Sequence, residues 1–127
     1  MSELKINDFA KEVHENAVKH GWYDPGPRFG EVIALCHSEV AGAPQEYRDE
    51  SGDFYQDCSL LHLFTDCTYD CYNCEHGIPS GVITELIDCV LRILDYAAFK
   101  GVDIEDIMRR KHEYNKTRPY RHGGKVI

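Results

Sequence analysis

No stretch of this 127-residue chain approaches the run of roughly 20 apolar residues that a bilayer-spanning helix requires, so a membrane is not an expected partner. The N-terminal segment MSELKINDFAKEV lacks both the basic start and the apolar stretch of a secretory signal, and a cytoplasmic protein is expected. Basic residues are few: 14 Lys and Arg stand against 22 Asp and Glu, for a net charge of -8. A broad basic face, which counterion release from a nucleic-acid backbone needs, is missing, and a nucleic-acid polymer is not the expected partner. Seven of the 14 basic residues fall between Arg109 and Lys125, opposed there only by Glu113. Such a tail suits a small polyphosphate that brings its own cations; the alternative is a solvated basic C-terminus. Cysteine is not scarce, at six. Without a signal peptide, however, the thiols read as reduced groups or metal ligands rather than a disulfide framework. There is no internal repeat and no low-complexity tract, and the length fits a single domain over 1–127.

What is present is helical periodicity. Phe9, Ala10, Val13 and Ala17 predict a first helix from about Asn7 to His20, stopped by Gly21. The WYDPGP segment at 22–27 is loop chemistry. A second helix is expected from near Arg28, with Phe29, Val32, Ile33, Cys36, Val40 and Ala43 forming its apolar stripe. Gly42 and Pro44 predict that it kinks or ends near Ala41. Residues 49–79 carry no sustained period and read as an irregular insertion without strands. A third helix should run from Pro79-Ser80 to about Lys100, with an apolar stripe of Ile83, Leu86, Ile87, Val90, Leu94 and Ala97. Asp103, with Asp106 three residues on, is a good N-cap for a fourth helix reaching Asn115. The fold class that follows is all-α: a four-helix bundle with a Cys-rich insertion between its second and third helices, oligomeric because so short a chain gains core by pairing.

Glu39 falls inside the apolar arc of the second helix, where a carboxylate costs several kcal/mol unless paired, protonated or metal-bound. The alternative is an edge glutamate reaching water. Glu85 and Asp88, at i and i+3, project from one face of the third helix, and Arg92 and Asp95 continue that strip. Clustered carboxylates suit a hard cation such as Mg²⁺, although a polar helix face is more often simply solvated.

The segments FGEVIALCHSEV (29–40), GVITELIDCVLRILD (81–95) and KHEYNKTRPYRHGGK (111–125) occur in an order that resembles the MazG-like nucleotide pyrophosphohydrolases, all-α NTP pyrophosphatases. The resemblance implies a four-helix fold whose carboxylates hold Mg²⁺ or Mn²⁺ over the phosphates of a nucleoside triphosphate. Water then attacks the α-phosphorus, releasing a nucleoside monophosphate and pyrophosphate. It assigns Glu39, Glu85 and Asp88 to catalysis and metal binding; beside these, Glu46 is the nearest substitute for the carboxylate missing at 42, and Asp95 is a further metal candidate on the Glu85 strip. Lys111, Asn115 and Arg118 match the ending that contacts nucleotide in relatives, and a homodimer or homotetramer is implied; His122 joins them as a substrate-binding candidate on its basic neighbours alone, the alternative being a solvated histidine.

The sequence departs from that pattern twice. Where the family has a second glutamate, three residues after Glu39, this chain has Gly42, which opens the alternative of a catalytically impaired nucleotide-binding or regulatory module. The insertion is longer than in relatives, and its Cys67, Cys71 and Cys74, with Cys58, suit a tetrahedral structural Zn²⁺ site; the alternative is four unmetallated thiols. Cys36 and Cys89 read as small core residues. Trp22 and Tyr23 read either as base-stacking or, more simply, as core aromatics.

Overall fold

The computed structural model describes residues 3–57 and 77–120. Helix α1 covers Ile6–Lys19, α2 Phe29–Arg48, α3 Val82–Phe99 and α4 Ile104–Lys116. Two three-residue strands, β1 (Tyr55–Asp57) and β2 (Ile78–Ser80), lie between α2 and α3 and pair antiparallel, with Tyr55 opposite Ser80 and Asp57 opposite Ile78. Helix α3 is the central element and packs against both α2 and α1, while α4 rests on α1. No helix among the described residues is long and apolar enough to cross a membrane.

Two expectations are corrected. The second helix does not kink or end near Ala41 but continues to Arg48 with Pro44 inside it. Pro44 removes one backbone donor, but Ala43, one residue before, is buried, and packing against α3 holds the helical path. The segment 49–79, in which the sequence shows no convincing strand, holds the β ribbon together with Ser80, the residue after it. Strands of three residues are too short to display a period of two, and Pro79 argues against strand in any sequence reading, although a two-stranded ribbon is all edge and tolerates it. The ribbon brings residues 57 and 78 together, and the four insertion cysteines, Cys58, Cys67, Cys71 and Cys74, lie outside the described residues.

The start of α3 explains how its carboxylates are placed. No side chain caps it; instead Val82 N and Ile83 N donate to the carbonyls of Gly52 and Asp53 at 3.1 and 2.9 Å. The turn following α2 therefore satisfies two of the orphan donors of α3 and sets the register between the two helices. This close approach needs Gly81, whose φ is +111°, and a Cβ there would meet the Asp53 carbonyl oxygen at 2.7 Å. At the other end of the bundle Asn7 ties α1 to α4. Its Nδ2 donates to Asp103 Oδ1 at 2.8 Å, and its Oδ1 accepts from Ile104 N at 2.9 Å. Asp103 caps α4 as expected, accepting from Asp106 N at 3.1 Å, and these bonds hold its carboxyl below the usual range.

The bundle buries little of its apolar surface within one chain. Among the described residues only Ala10, Ala43 and Ile104 are buried apolar side chains, whereas Ile83, Leu86, Ile87, Val90 and Ile93 of α3 each keep 40–52% of their surface exposed. The stripe that the sequence assigns to a core is thus half open. Gly81→Ala is expected to destabilise the fold by roughly 2 kcal/mol or more, through a backbone region closed to residues with a Cβ and the clash with Asp53, and chemical denaturation checks it.

Candidate metal centre and adjoining cavity

Glu39 lies mid-way along α2, and the packing of α3 brings Glu85 and Asp88 to it. One carboxylate oxygen from each of the three lies within 4.8 Å of the other two. Octahedral Mg²⁺ binds oxygens at about 2.1 Å, so its ligand atoms stand about 3–4 Å apart, and a small inward movement of three half-buried carboxylates would complete such a shell. The donor set, three carboxylates and no sulfur or imidazole, fits Mg²⁺ or Mn²⁺ better than a soft metal.

The carboxylates disturb one another. Burial, then the charges of Asp88, Glu39 and Glu46, push the Glu85 carboxyl above its usual range. Burial and Glu39 likewise push up Asp88, against a smaller opposite pull from Arg92. Arg92 was missed as a site residue by sequence reasoning, although it lies on the same face of α3, one turn beyond Asp88. Its Nε donates to Glu39 Oε1 at 2.9 Å, and its Nη2 lies 2.8 Å from the same oxygen as an ion pair.

Gly42 occupies the position of the expected second glutamate, one turn after Glu39. A Cβ built there would meet Glu85 Oε2 at 2.5 Å. The Glu85 carboxylate thus fills the space that a side chain at 42 would occupy, and the two arrangements exclude each other unless Glu85 moves. Because α2 is unbroken, Glu46 sits two turns beyond Glu39, near enough to raise Glu85, and it accepts a hydrogen bond from the Tyr55 hydroxyl at 3.3 Å. It stands at the margin of the cluster rather than within it.

A cavity of about 360 Å³ opens beside the cluster, lined by Glu39, Asp88 and Arg92 together with Trp22, Asn16 and His20. Trp22 is 53% exposed and lies at the cavity, with the Arg92 guanidinium carbon 5.1 Å from its ring centroid. Tyr23 behaves as a packing residue: its ring meets His14 edge-on at 4.6 Å and Phe99 at 5.0 Å. Asp95 is not in the carboxylate cluster. Its Oδ1 accepts from the Tyr23 hydroxyl at 2.8 Å and pairs with His14 Nδ1 at 2.9 Å, so it anchors the 22–27 loop to α3 and α1. Burial and that hydrogen bond push the Tyr23 phenol up.

Among the described residues, the structure does not bring the basic ending to this site. Lys111 and Asn115 lie exposed on α4 and Arg118 just past it; none lines the cavity, and Lys111 Nζ sits 5.0 Å from the Tyr114 ring centroid. His122 lies outside the described residues. Cys36 and Cys89 are half-buried free thiols on α2 and α3, consistent with small packing residues, and burial with the neighbouring Cys89 pushes the Cys36 thiol up.

The raised carboxyls of Glu85 and Asp88 carry a stability consequence. A carboxyl that binds its proton more tightly folded than unfolded favours the folded state at low pH, and that contribution is lost as pH rises through its raised folded value. At neutral pH the ionised cluster is therefore a local cost. Asp88→Asn is expected to raise the melting temperature of the metal-free protein by a few degrees, and Mg²⁺ to raise the wild-type melting temperature but not the variant's, with the Mg²⁺ effect growing with pH as protons cease to compete. Differential scanning calorimetry with EDTA and with Mg²⁺, at two pH values, reads all three. Comparison with protein-family models, with curated proteins and with solved structures found no match to this chain.

Proposed function

We propose that this chain is a divalent-metal-dependent nucleoside triphosphate pyrophosphohydrolase of the MazG-like kind, releasing a nucleoside monophosphate and pyrophosphate. The observation that carries the reading is the convergence of Glu39, Glu85 and Asp88, from two separate helices, beside a cavity of about 360 Å³ with an exposed indole at its side. A hard-cation donor set next to a small-molecule cavity with an aromatic surface is the arrangement a metal-nucleotide complex needs. When bound there, Mg²⁺ would supply charge neutralisation of the phosphates and activation of water. The three carboxylates would hold the cation, Trp22 offers a stacking face for a base, and Asp95 with His14 and Tyr23 keeps the loop bearing Trp22 in place.

The reading includes a homodimer or a homotetramer. The half-exposed apolar stripe of α3 is too long for a lone chain to leave in water and supports pairing with a second copy. Assembly would also give Lys111, Asn115 and Arg118 a route to the phosphates, since within one chain α4 rests on α1 away from the carboxylates. Light scattering should report a dimer or larger at micromolar concentration, and Val90→Asp should shift it toward monomer; a wild-type monomer would count against the assembly.

One observation favours a second reading, a nucleotide-binding module without turnover: Gly42 leaves three carboxylates where the MazG-like pattern has four. Both readings meet one assay. Pure protein is incubated with Mg²⁺ or Mn²⁺ and a panel of NTPs and dNTPs, and monophosphate with pyrophosphate is resolved from diphosphate with phosphate. Monophosphate with pyrophosphate is the expected outcome, with Asp88→Asn lowering the rate at least 100-fold by loss of a metal ligand. No turnover in folded protein that still binds nucleotide would leave the binding module.

A further inference from the structure

The centre contains one cation that the chain itself supplies. Arg92 sets its guanidinium against a single oxygen, Glu39 Oε1: Nε donates to it at 2.9 Å and Nη2 lies 2.8 Å away, with the two side chains 30% and 21% exposed. Its guanidinium carbon lies 5.1 Å from the centroid of the Trp22 ring. One guanidinium therefore engages both a carboxylate of the candidate metal cluster and the indole face beside the cavity. Three carboxylates and one guanidinium leave a charge of about -2, which a single divalent cation would balance.

An oxygen already accepting an N–H bond and crowded by a second guanidinium nitrogen offers poor access to a metal, and a cation arriving beside a guanidinium in a half-buried site is repelled by it. Binding through Glu39 then favours release of Arg92. A base stacking on Trp22 makes the same demand from the other side, because the guanidinium lies over that ring. A released Arg92, still rooted on α3 at the cavity, has a planar fork that matches phosphate oxygens.

We propose that Arg92 is an exchangeable counter-charge: it neutralises Glu39 and covers Trp22 in the ligand-free chain, and a divalent cation displaces it toward the phosphates of the incoming nucleotide. This rests on the metal-dependent reading above. It assigns Arg92 a role opposite in sign for the two ligands, weakening the metal and strengthening the triphosphate, which a merely structural ion pair would not show.

The test measures Mn²⁺ binding to the free protein by electron paramagnetic resonance in wild type, Arg92→Gln, Arg92→Lys and Asp88→Asn, with folding checked by circular dichroism. Arg92→Gln is expected to bind Mn²⁺ at least tenfold more tightly, about 1.4 kcal/mol, and a non-hydrolysable triphosphate at saturating metal at least tenfold more weakly. Arg92→Lys, keeping the charge, should stay near wild type for Mn²⁺. Trp22 is the single tryptophan, so its emission reports the guanidinium directly: Mg²⁺ should change wild-type emission in step with occupancy and leave Arg92→Gln unchanged. Unchanged or weaker Mn²⁺ binding in Arg92→Gln, with Asp88→Asn abolishing it, overturns the exchange and leaves the metal reading intact. No Mn²⁺ binding in any form removes the metal reading and this inference with it. Should Arg92→Gln fail to fold, wild-type Trp22 emission that stays flat while Mg²⁺ saturates the protein overturns the exchange on its own.

Discussion

Three carboxylates held within 4.8 Å of one another repel, and the packing of α2 on α3 has to absorb that repulsion. Much of the local architecture can be understood from this. Arg92 offsets part of the charge through Glu39, and burial, with the charge that remains, pushes up the carboxyls of Glu85 and Asp88. The backbone bonds from the first amides of α3 to Gly52 and Asp53 fix the helix that carries two of the three groups. A cluster of like charges is locally unfavourable, and functional sites often carry such a cost, supported by packing elsewhere.

That supporting packing is thin within one chain. Among the described residues only three apolar side chains are buried, and the stripe along α3 is half exposed, so the core the four helices share is small. Two of the three cluster carboxylates, Glu85 and Asp88, and the apolar stripe are all on α3, on different faces. The same helix therefore presents chemistry on one side and unsatisfied hydrophobic surface on the other, and proposals for function and for assembly draw on one structural element.

The aromatic side of the site shows how residues of similar type divide their work. Tyr23 turns inward, bonding Asp95 and packing on His14 and Phe99, while its neighbour Trp22 stays exposed beside the cavity under Arg92. The WYDPGP segment could be read from sequence as a loop, but not which ring would face inward, because that depends on where Asp95 and His14 stand after α1 and α3 have packed.

By itself the sequence determined the four helices, the Asp103 cap, and the shared face of Glu85 and Asp88, because these follow from periodicity and capping chemistry within a few residues. Helical spacing also placed Arg92 on that face, but its partner, Glu39, is 53 positions away and had no local signal. Only the tertiary structure decided that α2 continues through Pro44, that Glu85 fills the space beside Gly42, that Asp95 serves the Trp22 loop rather than the cluster, and that the ending of α4 lies apart from the carboxylates. Each of these depends on contacts between elements distant in sequence, where packing outweighs local propensity.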